Sequence, residues 1–218
     1  MSKRMVIFTV SVGQGHHQVS KALQEEWEER GYKADIVDIF SYMKKRTAFN
    51  MKKAYFYSIY SVPKLWDWTY QFTNCKAASW LLSPLLRIWW KKLLSFCEQE
   101  SYEIIVTTHP LASQIGLMIK KNLSHKPKLF AVLTDFSTHC LSISKEMDAI
   151  FVAEKAELEK LRKKNPQCTF YSYGIPLRKK WDEPVEKELY QKKLNLPFSK
   201  KVLVIAGGGR VFTQRIKL

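Results

Sequence analysis

The stretch of the chain with the clearest potential for chemistry is GQGHH at residues 13–17, which follows a short apolar run. Gly13 and Gly15 let the backbone turn tightly and approach a ligand closely. A helix that begins here presents unpaired N–H groups to negative charge, and His16 is a candidate general base. His17 is a further residue that we expect to contact the substrate. A glycine turn with a capping histidine is the alternative structural interpretation.

Two further motifs place histidine or carboxylate side chains after apolar runs. TTHP at residues 107–110 contains His109, and TDFSTH at residues 134–139 contains Asp135 and His139. On spacing alone, Asp135 is typical of a loop carboxylate that accepts backbone N–H groups. The carboxyl ends of parallel strands meet at one edge of a sheet, which is where open α/β sheets bind ligands. We therefore expect these motifs and GQGHH to share a single crevice.

Short apolar runs alternate with helical patterns and would position these motifs. Continuous runs such as MVIFTV and LFAVLT are typical of buried parallel strands. Helical spacing predicts helices at residues 17–30, 111–121 and 156–164. The alternation predicts an α/β fold with a Rossmann-like parallel sheet. The predicted strands are residues 5–10, 36–39, 104–108, 129–134, 149–152, 169–173 and 202–206.

The composition describes a folded chain of 218 residues with a strong positive charge. Because 46% of the residues are apolar, collagen, coiled coil and wholesale disorder are excluded. Thirty-six Lys and Arg against 20 Asp and Glu leave a net charge of +16, which predicts a polyanionic partner. Four cysteines without CxxC spacing predict free thiols in a reducing cytosol and no metal site.

The positive charge is concentrated in residues 41–97, where ten Lys or Arg accompany one Asp and five of the seven tryptophans. A Ser-Pro pair predicts a helix over residues 83–99 with a basic stripe and a broad apolar face, as in helices that lie on anionic lipid. A core helix with buried tryptophans is the alternative. Nucleic acid is not a predicted partner, because no RRM, KH or helix-turn-helix pattern accompanies the aromatics. The predicted membrane contacts are Trp66, Trp80, Trp89, Trp90, Arg87, Lys91 and Lys92.

The predicted organisation is one Rossmann-like domain followed by the beginning of a second. Residues 1–183 form the first domain, with a basic aromatic helical insertion at residues 41–100, and residues 184–201 form a linker. Residues 202–218 contain only the first strand of a second Rossmann-like domain, which needs a helix and a partner strand that do not follow here. After that strand comes a glycine loop that suits a phosphate group, formed by Gly207, Gly208 and Gly209.

The chain resembles the N-terminal part of GT-B glycosyltransferases of the monogalactosyldiacylglycerol synthase and processive diacylglycerol glucosyltransferase family. The resemblance rests on VIFTVSVGQGHHQVSKAL, LFAVLTDFSTH, YSYGIPLRKKW and KKVLVIAGGG, which follow the family's order along nearly the whole chain. It implies an N-terminal acceptor and membrane-binding domain and a C-terminal domain for the UDP-sugar. It also implies inverting transfer of a hexose to diacylglycerol by a cytoplasmic protein, peripheral on the inner face of the cell membrane.

The resemblance also assigns roles to individual residues. His16 would accept the proton of the lipid hydroxyl, Asp135 would orient the base or the acceptor, and Gly13 and Gly15 would approach the nucleotide-sugar. Anionic membrane lipids and diacylglycerol are the implied partners, and no cofactor or metal is implied beyond the UDP-sugar donor. The family's donor-binding residues lie mainly beyond Gly209, so this chain alone is expected to be inactive. A non-catalytic membrane-binding remnant and a UDP-GlcNAc transferase to another lipid remain alternatives.

Overall fold

Six parallel strands form the centre of the molecule. The computed structural model describes residues 4–62 and 90–198 and the positions 64, 71, 74 and 203. The strands are β1 (Arg4–Thr9), β2 (Lys33–Asp38), β3 (Ile104–Thr107), β4 (Lys128–Val132), β5 (Ala149–Val152) and β6 (Phe170–Ser172). They form one sheet in the order β2-β1-β3-β4-β5-β6, and every neighbouring pair is parallel. The predicted α/β, Rossmann-like fold is confirmed, whereas the predicted strand at residues 202–206 lies outside the described residues.

Helices connect the strands and cover the sheet. They are α1 (Gln14–Glu29), α2 (Lys45–Ser61), α3 (described over residues 90–100), α4 (Pro110–Asn122), α5 (Lys155–Lys164) and α6 (Lys187–Lys193). Helix α1 begins at Gln14 rather than at the predicted residue 17, because Gly13 adopts φ 86° and turns the chain directly into the helix. His16 and His17 therefore lie in its first turn. In the described part of the chain, no helix is both long and apolar enough to cross a membrane.

The two faces of the sheet bury alternate residues of β1, as the two-residue repeat of a strand requires. Ile7 belongs to a buried cluster with Val19 of α1. Phe8 faces the opposite side and belongs to the larger cluster that includes Ile115 of α4. Helix α4 lies very close to the sheet, since a Cβ atom added at Gly116 would come within 3.0 Å of side chains from β3 and β4. The sheet edge that carries the predicted motifs is thus held between packed helices.

The described part of α3 packs its apolar residues into the protein. Leu93 and Cys97 are fully buried in the larger cluster. Lys91, Lys92 and Ser95 are exposed. Of the predicted apolar face, Leu93 is thus buried, and the part of the predicted basic stripe that the structure describes lies at the surface.

The chain that follows β6 returns to α1. Gly174 adopts φ 84° within the GIPLR motif. The Arg178 Nε atom then donates a hydrogen bond of 2.8 Å to Glu25, and Lys179 pairs with Glu29. Exposed ion pairs of this kind contribute little to stability. They nevertheless hold the segment after β6 against α1, the helix that carries His16.

Candidate functional site

The carboxyl ends of β1, β3 and β4 bring the predicted motifs together. The chain crosses from β1 to β2 on one side and continues to β3 on the other, so a topological switch point lies between β1 and β3. Open α/β sheets bind ligands at such points. His16 lies in the first turn of α1, which follows β1, and its ring centroid is 4.7 Å from that of His109, which follows β3. His16 and His109, from two of the predicted motifs, therefore lie against each other at this edge of the sheet.

His16 is oriented through its Nδ1 atom. This nitrogen lies 2.7 Å from the backbone oxygen of Thr108 and 2.7 Å from the Oγ1 atom of Thr134. A carbonyl oxygen can only accept, so Nδ1 carries a proton and donates it to Thr108. The neutral ring consequently keeps its lone pair on Nε2, which is the state that a general base needs.

A chain of hydroxyl groups fixes the carbonyl that orients His16. The backbone N–H of Thr108 donates to the Phe8 oxygen at 3.1 Å, and its Oγ1 atom donates to Thr9 at 3.0 Å. The Oγ atom of Ser20 lies 3.2 Å from Thr108 Oγ1 and donates to the His16 carbonyl at 2.8 Å. These buried contacts join α1 to β1 and β3, and mutual polarisation strengthens such networks. Sequence reasoning gave Thr108 and Ser20 no role, although the paired threonines at a predicted strand end were visible.

His109 and His139 have the opposite protonation pattern and a capping role. The Nδ1 atom of His109 accepts the Leu111 N–H at 3.1 Å and caps α4. The Nδ1 atom of His139 accepts the Leu141 N–H at 3.3 Å and caps a short 3-10 turn. Their neutral rings therefore carry the proton on Nε2. Burial, together with the two neighbouring histidines, lowers the pKa of His109 to about 3, and burial also lowers the pKa of His139.

A small pocket, open to solvent, adjoins the atoms that hold His16. It is lined by most of the TDFSTH motif together with Thr108, Pro110 and Ser142. Asp135 belongs to this lining and is exposed, whereas the two partners of His16 Nδ1 are Thr108 and Thr134. Asp135 therefore lies at the wall of the pocket and is not among the groups that hold His16 Nδ1.

The remaining predicted residues of the first helical turn differ in their surroundings. Gly13 has a positive φ that favours glycine. A Cβ atom added at Gly15 would meet no atom of the described residues within 4 Å. The ring of His17 is partly buried and makes no hydrogen bond within the described part of the chain.

The predicted membrane contacts are only partly covered by the structure. Lys91 and Lys92 are exposed on α3, and Trp90 is partly buried with its indole N–H inaccessible and unpaired. The others, and the predicted phosphate loop, lie outside the described residues: Trp66, Trp80, Arg87, Trp89, Gly207, Gly208 and Gly209. Their predicted roles stay predictions.

Helix α2 presents an exposed row that sequence reasoning did not identify. Lys45, Phe49, Lys53 and Tyr57 follow one another at four-residue spacing, and we call them the basic aromatic stripe. Phe49 is 66% exposed and Tyr57 is 62% exposed, and both lysines are exposed as well. The signal was the regular spacing, because residues four apart share one face of a helix. Large apolar side chains beside cations are typical of surfaces that contact anionic lipid.

Comparison with known proteins gives a consistent result. A family model described as monogalactosyldiacylglycerol (MGDG) synthase matches residues 16–177. Relatives named processive diacylglycerol beta-glucosyltransferase from Bacillus cytotoxicus, Bacillus cereus (strain B4264) and Bacillus thuringiensis (strain Al Hakam) are each 27% identical over 227 residues. These matches cover 98% of this chain and 55% of each relative. The chain thus spans about half the length of the curated relatives that it matches.

Replacing His109 by Asn tests whether its buried ring makes the fold sensitive to acid. The folded pKa of about 3 lies below the ordinary value of 6.5, so the unfolded chain binds the proton first. Above pH 6.5 the neutral His109 therefore leaves the free energy of unfolding at its full value. As the pH falls from 6.5 toward 3, the free energy of unfolding decreases by about 1.4 kcal/mol per pH unit.

Asn can still cap α4 but does not titrate. In urea unfolding at pH 7 and pH 5, we expect the wild type to lose about 2 kcal/mol more stability than His109→Asn. Equal losses in the two proteins would contradict the burial of a neutral ring at this position.

Proposed function

The chain belongs to the monogalactosyldiacylglycerol synthase family, and from that premise we propose that it forms the acceptor side of a glycosyltransferase. The proposed reaction moves a hexose from a UDP-sugar to the hydroxyl group of diacylglycerol, with inversion at the anomeric carbon. The observation that carries the proposal is the orientation of His16, whose Nδ1 atom is bound to the Thr108 carbonyl. This leaves Nε2 as the basic nitrogen of the ring.

In the proposed mechanism, His16 acts as the general base. Its Nε2 atom accepts the proton of the lipid hydroxyl while the hydroxyl oxygen forms a bond to the anomeric carbon. The bond between that carbon and the UDP oxygen breaks on the opposite face, so UDP leaves with the electron pair. The imidazolium that results keeps its Nδ1–H donated to Thr108, at 2.7 Å, and a charged donor strengthens that hydrogen bond. Asp135 would contact the acceptor from the pocket wall.

The amino end of α1 is the proposed contact for the diphosphate of the donor. Gly13 provides no side-chain cap, and the first turn of this helix contains no acidic residue. Its N–H groups are therefore available to an anion, which a helix N-terminus attracts. Gly15, which has no side chain, would allow the close approach of the nucleotide-sugar. The proposal requires the UDP-sugar as a substrate and no additional cofactor.

The basic aromatic stripe supports binding of the protein to the inner face of the cell membrane. Phe49 and Tyr57 would enter the interfacial region, and Lys45 and Lys53 would meet anionic headgroups. Each lysine near such a surface contributes on the order of 1 kcal/mol. Lys91 and Lys92 of α3 are exposed and add to the same net charge of +16. In this arrangement the lipid acceptor would reach His16 from the membrane.

A His16→Ala substitution tests the proposed base. Residues 1–218 would replace the matching segment of the Bacillus cereus relative, and glycolipid formation would be measured with UDP-glucose and diacylglycerol in anionic vesicles. We expect the substitution to lower kcat by roughly 10²- to 10⁴-fold, because proton acceptance is lost.

The matched control for this test is His125→Ala. His125 is exposed and lies near the opposite edge of the sheet, where its Nε2 atom is 2.8 Å from the Tyr102 oxygen, so the control should retain kcat. Near-normal activity of His16→Ala would exclude His16 as the base. A chimera that makes no glycolipid with any UDP-sugar, yet binds vesicles, would favour a membrane-binding remnant instead.

A double substitution, Phe49→Ala with Tyr57→Ala, tests the membrane surface. Loss of two interfacial rings should weaken sedimentation with vesicles that contain phosphatidylglycerol by roughly tenfold or more. Trp181→Ala is the control, because Trp181 is also 66% exposed and lies outside the stripe. Equal binding by the double variant and the control would contradict the role proposed for α2.

A further inference from the structure

A closed ring of polar contacts joins the start of α1 to the end of β3. The Nδ1 atom of His16 donates to the Thr108 carbonyl oxygen at 2.7 Å, and the Oγ1 atom of Thr108 lies 3.2 Å from the Oγ atom of Ser20. The Ser20 hydroxyl donates in turn to the His16 carbonyl oxygen at 2.8 Å. His16 is therefore held at its ring and at its backbone by the same two residues.

Ser20 owes its place in this ring to the helix. It follows His16 by four residues, so the two lie on one face of α1. Its side chain is fully buried, and its hydroxyl makes two contacts among the described residues, both of them within the ring. A hydroxyl oxygen can donate and accept at the same time. Because Ser20 is closed off from solvent, it can influence a reaction only through His16 and Thr108.

The start of α1 needs such a support. The first N–H groups of a helix have no partner within the helix, so its first turn is held less firmly than its middle. A displacement of this turn by about 1 Å would lengthen the contact between His16 Nδ1 and the Thr108 oxygen beyond hydrogen-bond range. A neutral imidazole can carry its proton on either nitrogen, and without this acceptor Nδ1 would no longer be the favoured site.

A second pair of hydroxyl groups lies on the opposite face of the sheet. The Oγ1 atom of Thr107 lies 2.9 Å from the Oγ atom of Ser113 in α4, and both residues are buried. Thr107 faces α4, because a Cβ atom added at Gly116 of that helix would lie 3.0 Å from its methyl group. Neighbouring residues of a strand point to opposite faces, so Thr108 faces α1 instead. The second pair matches the first in chemistry and burial but lies away from His16.

From this geometry we infer that Ser20 is a positioning residue for the proposed reaction. Its hydroxyl holds the first turn of α1 against the end of β3, at the distance where His16 keeps its proton on Nδ1 and its lone pair on Nε2. The inference rests on the proposed function, because that function makes His16 the base. Placement of this kind matters, since a shift of about 1 Å in a reacting group can cost about 100-fold in rate.

A Ser20→Ala substitution in the 218-residue chain tests the effect on the ring. Long-range ¹H–¹⁵N correlation at neutral pH should show a new population of His16 with its proton on Nε2. Ser113→Ala is the matched control, because it also removes a buried serine hydroxyl that pairs with a threonine. The control should keep the wild-type His16 spectrum, although both variants should lose similar stability in urea unfolding.

The same two substitutions in the Bacillus cereus chimera test the effect on the reaction. We expect Ser20→Ala to lower kcat roughly 3- to 10-fold, which corresponds to one lost hydrogen bond. The KM for diacylglycerol should change by less than about twofold, because Ser20 touches no substrate. Ser113→Ala should retain the kcat of the unsubstituted chimera.

Thr108→Val is the second variant, because it removes the other hydroxyl of the pair and keeps the carbonyl that His16 contacts. It should change the protonation of the His16 ring in the same way as Ser20→Ala. Thr108→Ser keeps the hydroxyl and should recover most of the kcat that Thr108→Val loses. A wild-type His16 spectrum in Ser20→Ala and Thr108→Val, or equal losses of kcat in Ser20→Ala and Ser113→Ala, would overturn the inference.

The protonation measurement uses neither a donor sugar nor a transfer step, so it is independent of the assay of His16. A changed His16 spectrum in Ser20→Ala together with an inactive chimera would support the positioning by Ser20 and contradict the proposed function. An active chimera together with a wild-type spectrum in Ser20→Ala and Thr108→Val would contradict the role of Ser20 alone.

Discussion

The hydrogen bond from His16 Nδ1 to the Thr108 carbonyl is the contact on which the site depends. It exists only if the first turn of α1 lies directly above the end of β3, which requires β1 and β3 to be neighbours. The switch point between these strands is thus what places a histidine from one connection against a carbonyl from another. Ser20, buried in α1, donates a hydrogen bond to the His16 carbonyl, and Thr9, at the end of β1, accepts one from the Thr108 hydroxyl. The orientation of one imidazole is therefore tied to the packing of the sheet.

The same edge of the sheet uses histidine for two different purposes. At His109 and His139, Nδ1 accepts a backbone N–H and caps a helical turn, and burial keeps the rings neutral. At His16, Nδ1 donates instead, because the nearest backbone group is a carbonyl. A single difference in backbone partner thus decides which nitrogen carries the proton. Two caps and one candidate base result from three residues of the same type.

Much of this arrangement could be predicted from the sequence. Apolar runs that end in TTHP and TDFSTH indicated parallel strands, and parallel strands bring their carboxyl ends to one edge. Periodicity does not show which atom each ring contacts, so the roles of Thr108 and Thr134 were missed. The basic aromatic segment was recognised by its charge, but charge does not distinguish an exposed face from a buried one. As a result, the buried face of α3, at Leu93 and Cys97, became visible only in three dimensions. The stripe of α2 was present in the sequence as a four-residue spacing, and the structure shows that it is exposed.

The proposed catalysis depends on a His16 ring that is held with its proton on Nδ1 and its lone pair on Nε2. Long-range ¹H–¹⁵N correlation of the histidine rings, in the intact chain at neutral pH, measures this directly. The structure predicts a protonated Nδ1 and a bare Nε2 for His16, with the reverse pattern for His109 and His139. A neutral His16 that carries its proton on Nε2 would contradict the proposed base, because the nitrogen proposed to accept the proton would then be a donor.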